Sequence, residues 1–361
     1  PFVFGSLHGG DYRTRICDLL RVKDLVTNVS NQLRHNQFLI SNYLVLQHIS
    51  QQIKGLLRIP CFPVYERLAI QPPRHLVLYP YTDKEVSMTS IISITNSKGG
   101  VGKTTTALNL GMALVSEKKR VLLCDNDPQG NLTASLGYIP AEQSHALANL
   151  LLAAIDYPED LELHLGRTII HTDSGLDLLP ANRRLADAAA RLQVMQLSQY
   201  NAVGEVNRAC EKVMSVLLEQ LQDQYDYIII DCGLKHELLT VNALAASDYC
   251  IIPVQAHFLA SEGIPDVLEL VKSVQAKFNP NLKIAGILLT MYQSRPQLCQ
   301  SVKASVSEVY GEDFHVFQRP IEYSIKVAEC PAAGQSIFEY APKNAAAESY
   351  RSLAEEVLAL G

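Results

Sequence analysis

The chain has 361 residues, 48% of them hydrophobic, which is enough to bury the core of one large domain or of two smaller ones. It contains no run of 18 or more apolar residues, and its N-terminus lacks the order of basic, apolar and small residues of a signal peptide. We therefore expect a cytoplasmic protein that neither spans a membrane nor is secreted.

Charge is unevenly distributed along the chain. Residues 1–87 contain 10 Lys and Arg against 6 Asp and Glu, whereas residues 88–361 contain 21 against 31. Any nucleic-acid binding by the acidic second part must therefore depend on a local basic patch. The eight cysteines follow no CxxC or Cys/His ligand spacing, so we expect neither a zinc site nor a disulfide framework.

The organisation of the chain changes at Met88. None of the five methionines precedes it, and the stretch that follows has the pattern of the first strand of an α/β domain. We expect Met88 to be the natural start, residues 88–361 to form the functional domain, and residues 1–87 to be an N-terminal extension from upstream translation or the tail of something else. Apolar residues at helical spacing between Ile16 and Leu57 leave a DNA-reading helical domain open as the alternative.

Apolar, β-branched runs from Ile91 onward alternate with longer helical patterns. Nearly unbroken apolar strands separated by helices indicate a doubly wound, mostly parallel sheet that is covered on both faces. Ligands of such sheets bind at the carboxyl ends of the strands. The predicted strands are Ile91–Thr95, Val121–Cys124, Leu176–Leu179, Tyr227–Ile230, Tyr249–Val254 and Ile284–Leu289.

A glycine-rich loop follows the first predicted strand and precedes a predicted helix from Lys103 to about Val115. In a P-loop, backbone N–H groups and the helix N-terminus bind phosphate oxygens, the lysine reaches the β- and γ-phosphates, and the hydroxyl ligates Mg²⁺. Lys103 and Thr104 take these last two roles, and the expected cofactors are ATP and Mg²⁺. The predicted nucleotide-binding residues are Lys98, Gly99, Gly100, Val101, Gly102, Lys103, Thr104 and Thr105.

Carboxylates follow two later strands. Asp125 and Asp127 alternate along an extended segment, so both side chains lie on one side and can face the γ-phosphate, unless one of them merely caps the next helix. Asp231 ends an apolar strand in the form of a Walker B motif. A carboxylate buried there requires compensation, which coordination of Mg²⁺ through water provides.

The motifs together resemble those of the ParA family of DNA-partitioning ATPases. The strict P-loop pattern has glycine where this chain has Ser97, and the loop is similar to the deviant Walker A motif of the ParA/MinD class. The segment Asp125–Asn131 resembles the family motif D-x-D-P-Q-G-N. Further family-like segments extend the resemblance from Met88 to Gly361, among them Leu238–Leu244, Ile252–Ala256, Ser261–Gly263, Gly286–Tyr292 and Ile325–Glu329.

The resemblance implies roles for individual site residues. Lys98 is expected to act on the nucleotide of a partner subunit, in the manner of an arginine finger, so that ATP produces a homodimer. Asp125 is expected to lie on the Mg²⁺ side with Asp231, and Asp127 to orient the attacking water. Lys98, Lys103 and Asp127 are thus the predicted catalytic residues.

The resemblance also implies a biological role. Members of the family bind DNA without sequence preference when ATP-dimerised, through lysine and arginine contacts to phosphates. We expect a slow ATPase on the nucleoid that segregates plasmid, chromosome or integrative-element DNA with a ParB-like partner, which stimulates hydrolysis. Arg295 and Lys326 lie in family-like segments and are the candidate DNA contacts.

One departure from the family pattern follows Asp231. The family usually has a Pro-Pro-containing segment there, whereas this chain has Cys232-Gly233-Leu234-Lys235-His236-Glu237. ATP binding is still expected, but the rate of hydrolysis and its coupling to dimerisation are left open.

Two other classes share this core. A MinD-like spatial regulator inserts a basic amphipathic C-terminal helix into membrane, but Ala346–Gly361 has one arginine against three glutamates, so we expect no membrane contact. An ATP-driven iron–sulfur reductase needs cysteines that bridge a dimer axis, and Cys124 and Cys232 do not resemble that pair.

Overall fold

The computed structural model describes residues 89–157, 161–201, 210–234, 237–257 and 263–360. The predictions made for residues 1–87, and for Met88 as the natural start, lie outside these residues. No helix in the described part of the chain is long and apolar enough to cross a membrane.

A seven-stranded sheet forms the centre of the described domain. The strands lie in the order β3-β4-β2-β5-β1-β6-β7, and every neighbouring pair is parallel except β3 with β4. All of the predicted strands are present, and the prediction of a doubly wound, mostly parallel sheet is confirmed. The strands are β1 (Ser90–Ile94), β2 (Val121–Asn126), β3 (Ile170–His171), β4 (Leu176–Leu179), β5 (Tyr227–Cys232), β6 (Tyr249–Gln255) and β7 (Lys283–Thr290).

Helices connect the parallel strands and cover the sheet. The helix predicted after the glycine-rich loop is present and begins at Lys103, as expected. The helices of the described residues are α1 (Lys103–Ser116), α2 (Asn131–Ser135), α3 (Leu147–Asp156), α4 (Leu161–Thr168), α5 (Leu185–Asn201), α6 (Val213–Glu219), α7 (Glu237–Ala245), α8 (Ile264–Lys277), α9 (Gln297–Tyr310), α10 (Ile325–Ala333), α11 (Ile337–Tyr340) and α12 (Ala345–Leu358).

Alternate residues of the central strands pack against opposite helical layers. On β5, Ile228 and Ile230 join the apolar cluster that includes α3, α5 and α6, while Ile229 joins the cluster that includes α1 and α12. All three side chains are fully buried. A strand covered on both faces needs apolar residues at every position, which explains the unbroken runs in the sequence.

The C-terminal helix α12 is part of the core. Its apolar side chains Tyr350, Leu353 and Val357 are buried in the same cluster as α1. The apolar face of α12 is therefore occupied by the protein itself.

Helix α1 lies unusually close to the sheet at Gly111. A Cβ atom built on Gly111 would lie 2.8 Å from Cδ2 of Leu123 and 3.2 Å from Cδ2 of Leu176. The absence of a side chain thus lets α1 rest directly on β2 and β4. The close approach fixes the helix whose first turn follows the glycine-rich loop.

We predict that Gly111→Val lowers the free energy of unfolding by about 1–3 kcal/mol, because the added side chain overpacks this contact. Gly166→Val is the matched control, since a Cβ on Gly166 in α4 meets nothing within 4 Å. The control is expected to change stability by less than about 0.5 kcal/mol. Urea unfolding followed by circular dichroism measures both, and equal losses in the two variants would contradict the contact.

Candidate functional site

The carboxyl ends of the three central strands meet at one edge of the sheet. Asp125 of β2 is the register partner of Asp231 of β5, and Asp231 is in turn the partner of Ile94, the last residue of β1. The glycine-rich loop leaves β1 at this same edge. The two acids and the loop are therefore brought together, as the strand pattern predicted.

The loop adopts backbone conformations that favour glycine. Gly100 and Gly102 have φ angles of 72° and 86°, in the left-handed region. Gly102 precedes α1 and supplies no side chain to cap it, so the first N–H groups of the helix face the loop's interior space. The hydroxyl of Thr290, at the end of β7, donates a hydrogen bond of 2.8 Å to the Val101 carbonyl oxygen and holds the loop from the other side.

The ammonium group of Lys103 lies inside the loop. Its Nζ donates to the carbonyl oxygens of Asn96 at 3.2 Å and Lys98 at 3.0 Å, and the residue is 8% exposed. Burial lowers the Lys103 pKa, and the nearby Asp231 carboxylate opposes that shift. Lys103 is therefore a buried cation directed at the centre of the loop.

Lys98 points away from this centre. Its backbone N–H donates to Oδ1 of Asn96 at 2.9 Å, and its stem runs beside Gly263, where a built Cβ would lie 3.1 Å from Cγ of Lys98. The loop thus holds its two lysines in different places. Only Lys103 lies among the residues that line the adjoining cleft.

The Asp125 carboxylate is fixed by the first turn of α2. Its Oδ2 accepts hydrogen bonds from the backbone N–H of Thr133 at 2.8 Å and from the Thr133 hydroxyl at 2.7 Å. Asp125 therefore supports the next helix, which is the alternative role considered for these aspartates, and it also lies in the site. Burial raises the Asp125 pKa to about 6, and the Thr133 hydrogen bonds limit the shift.

Asp231 is a buried acid whose oxygens are only weakly compensated. It is 1% exposed, and neither carboxylate oxygen accepts a hydrogen bond of normal geometry from the described residues. Burial raises the Asp231 pKa to about 8, and the charge of Asp125 adds to this shift. The nearby Thr104 hydroxyl opposes only part of it. A buried acid without a hydrogen bond, next to a second buried acid, fits a bound cation, which would supply the missing positive charge.

Asp127 lies at the rim of the site. Its Oδ1 accepts a hydrogen bond of 3.0 Å from the backbone N–H of Gln129, and the residue is half-buried. It lines a cleft of about 250 Å³ above the loop. The other lining residues are Gly100, Gly102, Lys103, Thr104, Thr105, Asn131, Cys232, Leu234 and Met291.

A second cleft of about 170 Å³ adjoins the first and shares Gly102, Thr105 and Met291 with it. Its remaining lining includes the apolar side chains of Ile321 and Val327. A charged cleft that opens into an apolar one suits a ligand with an anionic group at one end and a planar, weakly polar group at the other. A nucleotide has this form.

Neither of the two candidate DNA contacts lines these two clefts. Arg295 is exposed and lies just before α9. Lys326 is also exposed, but its Nζ pairs with Glu329 at 2.8 Å and lies 5.5 Å from the centre of the Tyr340 ring. The charge of Lys326 is therefore partly engaged within the protein.

Several residues that shape the site were not among those predicted. Asn96 supports the backbone of Lys98, Thr133 orients Asp125, and Thr290 holds Val101. Thr290 could have been identified from the sequence, because it is the polar residue that ends an apolar strand. The partners of Asn96 and Thr133 are set by tertiary contacts, which the sequence pattern does not encode.

Comparisons with known proteins agree with this geometry. A family model described as an AAA domain matches residues 89–284. Sporulation initiation inhibitor protein Soj of Bacillus subtilis is 39% identical over 274 residues, with 76% of this chain and 100% of that protein covered. Chromosome partitioning protein ParA of Caulobacter vibrioides is 34% identical over 271 residues, with 74% and 93% covered.

A solved structure shares the fold of this chain. Cobyrinic acid a,c-diamide synthase from Mycobacterium smegmatis, crystallised with ADP and magnesium, is 32% identical with a TM-score of 0.61, and the match covers 75% of this chain and 94% of that one. The loop, the acids at the strand ends and the relatives agree with one another. This chain therefore belongs to the ParA/MinD class of P-loop ATPases.

Proposed function

We propose that this chain binds ATP with Mg²⁺, dimerises in that state, binds DNA without sequence preference, and segregates a DNA cargo with a ParB-like partner. The observation that carries the nucleotide part is the buried Asp231 side chain, which lacks a hydrogen bond of normal geometry from the described residues and lies next to Asp125 and beside the loop that holds Lys103. The partition part rests on the similarity to Soj and ParA proteins.

ATP fits the two adjoining clefts. The triphosphate would be bound by backbone N–H groups of the loop from Gly99 to Thr105 and by the Lys103 ammonium, and the base would occupy the apolar cleft near Val327. Thr104, Asp125 and Asp231 would hold Mg²⁺, which when bound offsets the negative charge of the phosphates and of these acids. The structures of the mycobacterial relative with ADP or an ATP analog and magnesium support this assignment.

Hydrolysis of ATP to ADP and phosphate needs an oriented water. Asp127 lines the cleft and is held by the Gln129 N–H, so its carboxylate can orient a water toward the terminal phosphate. Lys103 offsets the charge that develops on the phosphate oxygens. We propose that a single subunit is slow, because Lys98 does not line its own cleft.

Lys98 would complete the site of a second copy. Its stem lies along Gly263, and the residue is placed at the outer side of the loop. A dimer in which each subunit's Lys98 reaches the other's nucleotide adds the missing positive charge, and a ParB-like partner that stabilises this arrangement would stimulate hydrolysis.

DNA binding would take place on the dimer at the nucleoid in the cytoplasm. Because acidic residues outnumber basic ones in residues 88–361, DNA binding requires a local basic patch, for which Arg295 and Lys326 are the candidates. The MinD-like alternative requires a free amphipathic helix at the membrane. The burial of Tyr350 and Leu353 in α12 favours the DNA-partition version.

We predict that the protein sediments as a dimer with ATP and Mg²⁺ and as a monomer with ADP or without nucleotide. Lys98→Ala is expected to bind ATP with an affinity within about threefold of the wild type but to remain monomeric, because it lacks the charge that acts across the dimer. Lys277→Ala, which removes an exposed lysine from the last turn of α8, is the control and should still dimerise. Normal dimerisation of the Lys98 variant would contradict the assignment.

DNA binding with ATP is expected to weaken steeply between about 50 and 200 mM salt. Arg295→Ala should reduce affinity more than Lys326→Ala, because Glu329 already engages the Lys326 charge. Each lost phosphate contact lowers the slope of log affinity against log salt by about 1. Fluorescence anisotropy with two unrelated duplexes measures both effects, and salt-independent or nucleotide-independent binding would count against the proposal.

The buried acids predict a pH dependence of stability in the ligand-free protein. The Asp231 pKa is raised to about 8 by burial, whereas an unfolded chain has an aspartate pKa of about 3.9. Between these values the folded chain keeps a proton that the unfolded chain has released, so this group lowers stability as pH rises from about 4 to about 8. Asp125, with a pKa raised to about 6, acts in the same direction.

We therefore predict that Asp231→Asn raises the melting temperature of the ligand-free protein at pH 8 by about 2 °C or more, and by less at pH 5. Asp173→Asn, at an exposed turn, is the control and should leave it within about 1 °C. Mg²⁺ with ATP should stabilise the wild type more than the Asp231 variant. Scanning fluorimetry measures these shifts, and an equal gain at both pH values would refute the prediction.

A further inference from the structure

The segment after β5 touches the catalytic candidate Asp127 directly. The backbone N–H of Gly233 donates to the Asn126 carbonyl oxygen at 3.4 Å. A Cβ atom built on Gly233 would lie 2.9 Å from Cγ, 3.1 Å from Cβ and 3.2 Å from Cα of Asp127. No side chain fits between Gly233 and Asp127 unless the aspartate moves.

We propose that Gly233 is a positioning residue for Asp127, and this inference rests on the proposed role of Asp127 in orienting water. The Gln129 N–H fixes Oδ1 of the carboxylate at 3.0 Å, and the Gly233 backbone packs against the carbon atoms of the same side chain. Together they restrict rotation about the Asp127 side-chain bonds. The carboxylate is thereby held in one orientation toward the cleft.

The requirement for glycine is one of space and not of backbone conformation. Gly233 is not among the described residues with a positive φ angle, in contrast to Gly100 and Gly102 of the loop. Alanine can therefore adopt the backbone of residue 233 without strain. A substitution by alanine consequently tests the contact with Asp127 alone.

The neighbouring Leu234 connects the same segment to the phosphate loop. A Cβ built on Gly99 would lie 3.2 Å from Cδ1 of Leu234, and Leu234 also lines the cleft. Two consecutive residues therefore touch Asp127 and the loop, in the segment where the sequence departs from the Pro-Pro pattern.

Displacement of Asp127 should affect turnover and spare binding. The groups assigned to the phosphates belong to the loop and to Lys103, and the Gly233 contact does not include them. A misplacement of about 1 Å in a catalytic group costs on the order of a hundredfold in rate. A methyl group at residue 233 imposes a smaller shift, so we expect a loss of about tenfold or more in kcat.

The test compares Gly233→Ala with Gly166→Ala, whose added methyl group meets nothing within 4 Å. Steady-state ATP hydrolysis gives kcat and KM, and titration with a fluorescent ATP analogue gives Kd. We expect Gly233→Ala to lower kcat at least about tenfold with KM and Kd within about twofold of the wild type. Gly166→Ala should match the wild type in all three values.

Asp127→Ala separates this inference from the proposed function. It should lower the single-turnover rate of ATP hydrolysis at least as far as Gly233→Ala does, and adding Gly233→Ala to it should cause no further loss, since the group that Gly233→Ala displaces is gone. Wild-type hydrolysis by Asp127→Ala would overturn the role of Asp127 and the positioning role with it. If only Asp127→Ala is impaired, or if Gly233→Ala loses ATP binding together with turnover, the positioning role alone is overturned.

Discussion

The structure depends on two buried acidic groups that parallel strands place side by side. Asp125 and Asp231 are register partners at the carboxyl ends of β2 and β5, and both are almost completely buried. Thr133 donates hydrogen bonds to Asp125, whereas Asp231 accepts no hydrogen bond of normal geometry from the described residues. The ligand-free site is thus incomplete electrostatically, and the folded protein gains from any cation that enters it.

The elements around this pair explain why the chain keeps such a costly arrangement. The loop after β1 supplies a buried ammonium in Lys103, and the left-handed glycines turn N–H groups toward the same space. A triphosphate bound to its metal ion carries negative charge, which suits the lysine and the N–H groups of the loop. The metal ion carries positive charge, which suits the two acids. The same features that make the empty site unfavourable make it selective for that ligand.

The strands and the loop were predictable because their signals are local. Ile228, Ile229 and Ile230 form an apolar run that only a doubly covered strand explains, and Asp231 follows it directly. Strand β3 was missed because two residues, Ile170 and His171, are too short for any periodic pattern. Its antiparallel pairing is set by the turn at Gly175, whose φ angle is 85°.

The partners of the site residues were not predictable, because they come from distant parts of the chain. Thr133 can be assigned to Asp125 only when the first turn of α2 is placed over the end of β2. In the sequence Gly233 was visible only as a departure from a family pattern, and its contact with Asp127 depends on the register of β2 with β5. The sequence pattern predicts the secondary-structure elements and their order, whereas the residue pairs of the site depend on three-dimensional packing.

The hydrogen bond from Thr290 to the Val101 carbonyl oxygen connects the end of β7 to the phosphate loop. Thr290 is the last residue of the edge strand, and Met291, which follows it, has a left-handed φ angle of 51° and borders both clefts. The exposed Arg295 lies only a few residues further along the backbone. The phosphate loop, the residue that borders both clefts and the exposed Arg295 are therefore connected by one short stretch of main chain.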